Sequence, residues 1–388
     1  MNFNALSLFC SAGIAETYFE RHGISVKVAC ELLPERVKFY SHMYPTVDIT
    51  CGDITNRDTF QSLIEKSKNA GVDFVLATPP CQGMSTAGKK LKDDPRNRLI
   101  IYAVDAILEI EPKFAIIENV PEILTTKILV EDEWILINEY INQKLGTKYS
   151  INLKKIVNAM DYGVPQSRTR CIYLLSRKDQ RITWEFPDKY EHVVTMAEAI
   201  GDLPSLDPDV TDITQEQRDA LFPNYEEKRK AGLAVSKWHY PPRHHLRHVI
   251  AMMHTPEGCS AWSNNVYFPT LKNGKKSKGY KNTYKRQWWN KPAYTITKYT
   301  SRLGSQENGH PGRVIVDDGT EEGRLISDPR TMTIFELMRL SSLPDNWNIP
   351  SNCSSNLIRE IIGEGVPPKL LEAALIELER LLNENNKV

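Results

Sequence analysis

The chain has 388 residues, with 49 Lys plus Arg against 49 Asp plus Glu, 41% hydrophobic and 25% charged residues. That length allows roughly two or three domains with cores large enough to need no staples, and the composition is ordinary for a globular protein. A formal charge of zero removes any argument for nucleic-acid binding from pI alone, so such a function must show in where the charges sit.

In chain order, Ala5 to Phe9 is a buried-strand candidate, followed by a turn and a helix-like stretch through Arg21. Val26 to Cys30 is a second short strand ending on Glu31, and Phe74 to Ala77, Phe114 to Ile117 and Cys171 to Leu175 are further strands. Helix-length segments such as Leu99 to Ile110 and Glu133 to Leu145 stand between them. Strands alternating with helices predict an α/β fold, a mostly parallel sheet with helices on both faces. In such folds ligands bind at the carboxyl ends of strands, where this chain places its unusual residues. After about residue 180 the sequence turns rich in Pro, His and aromatic residues without sustained periodicity, which predicts a smaller irregular domain. A helical pattern resumes at Ile334 to Ser341, and Pro367 to Leu382 is an amphipathic closing helix with Leu370, Leu371, Ala374, Leu375 and Leu378 on one face. The expected division is 1–180 catalytic and cofactor-binding, 181–325 irregular, and 326–388 returning to the catalytic domain.

The seven cysteines are odd in number and spread singly, without the close pairs of zinc sites, which argues against a disulfide framework. Met1 to Phe9 lacks a basic leader region, and no apolar run approaches the ~20 residues of a membrane span. A reducing, cytoplasmic compartment is expected, with no membrane partner.

The segment Thr78-Pro79-Pro80-Cys81-Gln82-Gly83-Met84-Ser85 follows the strand Phe74 to Ala77, so stiff prolines hold a cysteine at a strand end. A single loop cysteine is most often a small buried residue. A nucleophilic role needs neighbours that stabilise the thiolate. Glu118-Asn119-Val120 ends the strand Phe114 to Ile117 and puts a carboxyl group on the same rim. Gln166-Ser167-Arg168-Thr169-Arg170 runs into the strand Cys171 to Leu175, with Arg168 and Arg170 on one face. A thiol, a carboxyl group and two guanidiniums around one rim make a candidate site.

These segments, in this order, resemble the motifs of bacterial DNA (cytosine-5)-methyltransferases. Leu8-Phe9-Cys10-Ser11-Ala12-Gly13 is similar to the family's first cofactor motif, Glu31 to its acidic residue, and Gly52-Asp53-Ile54 to its third element. Pro79 to Ser85 resembles the nucleophile motif, Glu118 to Val120 the next, and Tyr162 to Arg170 the Arg-rich one. Arg330, Glu336 and Arg339, and then Gly363-Glu364-Gly365-Val366-Pro367-Pro368, complete the series.

The resemblance implies a Rossmann-like sheet that binds S-adenosyl-L-methionine, releases S-adenosyl-L-homocysteine, and uses no metal. It implies that Cys81 adds to carbon 6 of cytosine, Glu118 holds ring nitrogen 3 and the amino group, Arg170 contacts the carbonyl oxygen, and Arg168 supports the Cys81 loop. Phe9, Ala12, Gly13, Glu31, Leu32, Asp53, Ile54, Pro79 and Glu364 become the cofactor-binding candidates. Ser11 and Ile14 stand where the family commonly has glycine, and Glu364 where it usually has Asn. Because the reacting atom lies inside a stacked duplex, the cytosine must be flipped out. A closing loop over residues 82–98 is expected, with Gly83 and Gly88 for flexibility and Gln82, Ser85, Lys89, Lys90, Lys92, Arg96 and Arg98 available to DNA.

Between Ser236 and Arg302 thirteen basic residues face one acid, Glu257, a net +12, with five histidines and with Trp238, Trp262, Trp288, Trp289, Tyr280, Tyr284, Tyr294 and Tyr299 interleaved. The window sits where the family carries its target recognition domain. It nominates Arg243, Lys285, Arg286 and Arg302 as DNA contacts, beside His239, His244, His245, His248 and His254 as hydrogen-bonding groups. The remaining residues must then sum to −12, so neutrality predicts a basic cleft and an acidic exterior. The expected protein is a prokaryotic, nucleoid-associated monomer acting on double-stranded DNA, with a cognate restriction endonuclease as a further partner. Two rivals are a relative acting on tRNA and a non-catalytic DNA-binding regulator, the latter favoured by Glu364 and disfavoured by Cys81, Glu118 and Arg170.

Overall fold

The structure is a computed structural model that describes residues 1–81, 83–84 and 94–385. Strands β1 (Phe3–Leu8), β2 (Ile24–Glu31), β3 (Asp48–Cys51), β4 (Phe74–Ala77) and β5 (Phe114–Asn119) are parallel and stand in the order β3-β2-β1-β4-β5. Thr169–Arg177 pairs antiparallel with β5, and the short strands Tyr149–Ile151 and Ile156–Asn158 pair with it in turn. The apolar runs are continuous because both faces are covered. Phe74 and Leu76 point to one face, Val75 and Ala77 to the other, as the two-residue period of a strand requires.

On the first face Phe74, Leu76, Phe114 and Ile116 meet Trp184 and the closing helix Pro368–Asn385, which buries Leu370, Leu371, Ala374, Leu375 and Leu378. The Trp184 indole donates to the Ala374 carbonyl at 2.9 Å, fixing that helix against the sheet. On the second face lie α2 (Arg57–Asn69), α3 (Leu99–Ile110) and α4 (Ile137–Leu145). The helix α1 (Pro34–Met43) follows β2 and sends Phe39 into a third cluster with Ile14, Met196, Phe335, Trp347 and Ile361. Residues beyond 180 therefore pack directly on the sheet domain, through Trp184 first and then Met196, Ile200 and Leu203.

Two expected helices are corrected. The stretch to Arg21 contains only the 3-10 turn Phe19–His22, because Phe9, Ser11 and Gly13 take left-handed backbone angles (φ 57°, 49° and 75°) that a helix cannot continue from. Glu133–Leu136 is a strand, paired antiparallel with Lys127–Val130, and the helix starts at Ile137. Glu131 and Asp132 both have positive φ, the two-residue turn that suits a tight hairpin.

From 181 to 325 regular structure is short and scattered, and buried polar side chains take its place. Arg330 is fully buried, with Nη1 and Nη2 2.8 Å from the two Glu336 oxygens and Nη2 2.8 Å from Asp328 Oδ1. Asp328 also accepts from the Leu206 amide and the Ser205 hydroxyl, while Arg330 Nε donates to the Leu206 carbonyl. Arg286 is buried with its guanidinium on the Met252, His310 and Asp328 carbonyls.

Burial holds His310 down to about 4 and His244 down to about 3, both neutral in the fold. Their unfolded counterparts gain a proton below about pH 6.5. The stability they contribute is thus present above that value and lost as pH falls toward 4, before the Arg330-paired Glu336, held at about 2, takes up its proton. Thermal unfolding between pH 7 and 4.5 is expected to show a falling midpoint, and His310→Asn to flatten the slope. An unchanged slope would assign the acid sensitivity elsewhere.

Candidate active site

The strand order turns back between β1 and β4, and the carboxyl ends of β1, β2, β4 and β5 share one rim. Such a reversal opens a crevice for a ligand. Phe9 follows β1, Glu31 ends β2, Pro79-Pro80-Cys81 follows β4, and Glu118 lies one residue from the end of β5. The antiparallel strand brings its first residues to the same rim, with Cys171 opposite Asn119 and Ile172 opposite Glu118. Arg170 Nε sits 2.9 Å from Glu118 Oε1.

Burial pushes the Glu118 carboxyl up, against the pull of Arg170 and Arg168. Burial and then Glu118 push the Cys81 thiol up, and Arg170 and Arg168 again pull the other way. Burial thus disfavours the charged form of both the thiol and the carboxyl group, and two cations stand poised to stabilise negative charge. That arrangement can supply a nucleophile and a proton or hydrogen bond to one planar substrate.

Glu31 is buried, and its two oxygens accept the Ser11 and Leu33 amides at 2.9 and 3.0 Å. A carboxylate has about four acceptor sites, so acceptor capacity remains for a ligand hydroxyl pair. Beside it, Leu32 keeps 57% of its surface exposed, an apolar wall at the rim, and Phe9 is half-buried. Arg36 on α1 has a buried Nε with no partner among the described residues. An acceptor for ribose hydroxyls, an apolar wall for a purine and an unpaired guanidinium N–H fit S-adenosylmethionine. Of the other candidates, Ile54 is buried, Asp53 is exposed with Oδ1 engaged by Thr55, and Ala12 is buried beside Ile14 and Phe39.

The sequence profile of C-5 cytosine-specific DNA methylases matches residues 3–380. The chain belongs to that family. It is 39% identical over 389 residues to the Type II methyltransferase M1.HgaI of Avibacterium volantium, covering 99% of both chains. To M1.HphI of Haemophilus parahaemolyticus it is 25% identical, over 99% of this chain and 88% of that one. Among solved structures, a prophage-encoded E. coli protein gives a TM-score of 0.66 at 22% identity, covering 98% of this chain and all of the other. The Entamoeba histolytica methyltransferase EhMeth gives 0.61 at 16%, covering both chains fully. These last two establish the fold. The enzyme is thus a DNA cytosine-5 methyltransferase, with DNA as substrate and S-adenosylmethionine as methyl donor.

Several expectations for this methyltransferase shift in detail. Among the described residues Arg168 makes no hydrogen bond to the Cys81 loop; it donates to the carbonyls of Ile296, Gly363 and Glu364 at 2.8, 2.9 and 3.3 Å, and reaches Cys81 through its charge. Arg286 is fully buried and is not a DNA contact. His239 and His244 are likewise turned inward, to Thr333 and Pro204 and to the Thr331 amide. Lys285 is half-buried between Glu307 and Tyr294, whereas Arg243 and Arg302 are exposed, Arg243 paired with Asp209. Arg96 is partly exposed and forks onto Asp94. Gln82, Ser85 and Lys89, with Gly88, Lys90 and Lys92, lie outside the described residues. Gly83 serves close packing: a Cβ there would lie 2.4 Å from Asn97 Oδ1 and 2.7 Å from Asp94 Cβ.

Sequence reasoning gave Asn119 no role. Its side chain donates to the Pro79 carbonyl at 3.0 Å and accepts the Val120 amide at 2.9 Å, tying the end of β5 to the Cys81 loop. The signal was its place between Glu118 and Val120, one residue beyond the carboxyl group. Asn119→Ala leaves two buried backbone groups unpaired, a cost of about 1–3 kcal/mol. Displacement of Cys81 by an ångström is expected to lower kcat about a hundredfold. Binding of S-adenosylhomocysteine by calorimetry should stay within about twofold; an equal loss there would mean that Asn119 supports the whole rim instead.

Proposed function

We propose that Cys81 is the nucleophile of this methyltransferase and Glu118 its proton-holding partner, acting on a cytosine flipped out of duplex DNA. The observation that carries this is the buried Glu118 carboxyl, paired with Arg170 at 2.9 Å and close enough to Cys81 to raise its thiol. Bound S-adenosylmethionine supplies an electrophilic methyl group. The Cys81 thiolate adds to carbon 6, and Glu118 places its proton on or near ring nitrogen 3, so the electron pair is held at carbon 5. Arg170, already fixed by Glu118 and the Thr169 carbonyl, meets the cytosine carbonyl oxygen. Carbon 5 takes the methyl group, leaving S-adenosylhomocysteine; carbon 5 then gives its proton to a water, the 5,6 double bond re-forms, Cys81 leaves as the thiolate and the nitrogen 3 proton returns to Glu118.

The turn Phe9 to Gly13 would hold the cofactor, with Glu31 accepting from the ribose hydroxyls, Asp53 from the adenine amino group, and Leu32, Ile54 and Pro79 lining the slot. Residues 181–325 read the target and 326–388 return the chain to the sheet domain. The strongest support for a DNA-reading role is the exposed lysine series Lys272, Lys275, Lys276, Lys278 and Lys281, carried on a loop where Leu271 and Lys275 share a backbone hydrogen bond. We further propose a monomer in the prokaryotic cytoplasm, associated with the nucleoid and paired with a cognate restriction endonuclease, as relatives named Type II methyltransferases suggest. No described helix is long and apolar enough to cross a membrane.

A duplex with 5-fluorocytosine at the target, given S-adenosylmethionine, is expected to trap the enzyme covalently, because fluorine cannot leave carbon 5 as a proton does. Cys81→Ser should abolish the adduct seen on a denaturing gel, and Glu118→Gln should slow methylation by roughly 10²–10⁴. An adduct with the serine variant would refute the assignment. Replacing Lys275, Lys276 and Lys278 with Gln is expected to flatten the dependence of log affinity on log salt by about 0.9 per lost phosphate contact. An unaltered slope would move the DNA face elsewhere.

A further inference from the structure

Three segments far apart in sequence meet at the cofactor turn. Glu364, the last residue of the helix Ser355–Glu364, reaches back to α1, where its Oε2 lies 2.5 Å from Arg36 Nη2. Arg36 Nη1 donates to the Ser11 hydroxyl at 3.3 Å, and the Ser11 amide donates to Glu31. Lys298 Nζ stands 3.9 Å from the other Glu364 oxygen. The Glu364 carboxylate thus faces two cations.

The pair is more than a surface ion pair. The side chains of Arg36 and Glu364 keep 15% and 28% of their exposure, and the Arg36 Nε is buried without a partner among the described residues. A buried guanidinium N–H without an acceptor is costly, and a ligand carboxylate removes that cost. The amino-acid end of S-adenosylmethionine is a zwitterion, and an Arg beside a Glu is its charge complement. We propose that Arg36 and Glu364 together recognise that end, Arg36 taking the α-carboxylate through its free Nε–H and Glu364 the α-ammonium. This rests on the placement of the cofactor along Phe9 to Gly13 and Glu31. It makes Arg36 a specificity-determining residue on a helix outside every motif quoted above. It also gives Glu364 a role that an uncharged amide could fill only in part.

The test is calorimetry of the unreacting product S-adenosylhomocysteine against 5′-methylthioadenosine, which lacks the amino-acid end. The intact enzyme is expected to bind the first more tightly. Arg36→Met should weaken S-adenosylhomocysteine about ten- to a hundredfold, the range for a hydrogen bond to a charged group, and leave methylthioadenosine within about twofold. Arg36→Lys, which keeps the charge but not the fork, should recover part of the loss, and Glu364→Gln should weaken S-adenosylhomocysteine alone by several-fold. Equal weakening of both ligands by Arg36→Met, or no weakening of either, overturns the proposal and leaves the pair as a tether between helices. Unfolding midpoints of the unliganded variants separate misfolding from lost recognition; where Arg36→Met does not fold, Arg36→Lys and Glu364→Gln decide. Failure of the cofactor placement itself reads differently: Glu31→Ala would then leave the affinity of both ligands unchanged.

Discussion

The buried charge of Arg330 is the constraint on which the second half of the molecule depends. A guanidinium without water must meet carboxylates or carbonyls at once, and Arg330 meets Glu336, Asp328 and the Leu206 and Thr331 carbonyls. Asp328 in turn holds the backbone at Leu206, and Glu336 closes a capping box with Thr333 at the start of the helix Ile334–Leu340. Removing one partner of such a cluster costs on the order of 3–5 kcal/mol because the others stay buried and charged. Arg286 repeats the principle on three carbonyls. Where the chain forms few ladders, these side chains satisfy the backbone groups that a sheet would otherwise pair.

A second set of buried contacts runs through the Arg-rich segment. Gln166 accepts the Ile296 amide and donates to the Leu340 carbonyl, Ser167 takes the Ala293 carbonyl, and Arg168 spans Ile296 and Gly363. The strand that delivers Arg170 to Glu118 is thereby joined to Ala293 and Ile296 and to Gly363 near the end of the chain. Gly363 permits the joint, since a Cβ there would lie 2.4 Å from the Thr297 carbonyl oxygen. The proposed substrate side and the proposed cofactor side are thus both tied to one run of five residues.

How much of this was legible follows from which physical signal each part carries. The parallel strands were readable because burial on both faces writes an unbroken apolar run, and the rim was readable because each run ends on a reactive residue. Phe74 to Ala77 and Leu99 to Ile110 match the observed bounds. The hairpin at Glu133 was missed because Glu131 and Asp132 make a turn only through positive φ, which acidic residues seldom announce. Arg286, His239 and His244 were misread because composition reports charge and not depth. In a segment with little regular structure, the same residue types that contact phosphates also replace the backbone's own hydrogen bonds. Asn119 and Arg36 were invisible for a related reason: their importance lies in partners 40 and 328 positions away.

That distinction alters the electrostatic reading of the neutral chain. The +12 of the window Ser236 to Arg302 is a formal sum, and phosphates respond only to charge at the surface. Arg286 is withdrawn into the interior, Lys285 is paired with Glu307, and Arg243 leans on Asp209, two acids outside the window. The charge left at the surface of this window is that of Lys237, Lys272, Lys275, Lys276, Lys278, Lys281, Lys291 and Arg302, a smaller patch than the formal sum. A patch gives up fewer counterions than the full window would, so the affinity it supplies falls less steeply with salt than a count of thirteen cations implies. If residues 181–325 read the target as proposed, discrimination among sequences comes from side chains that reach base edges, and the exposed Tyr280 stands between Lys278 and Lys281.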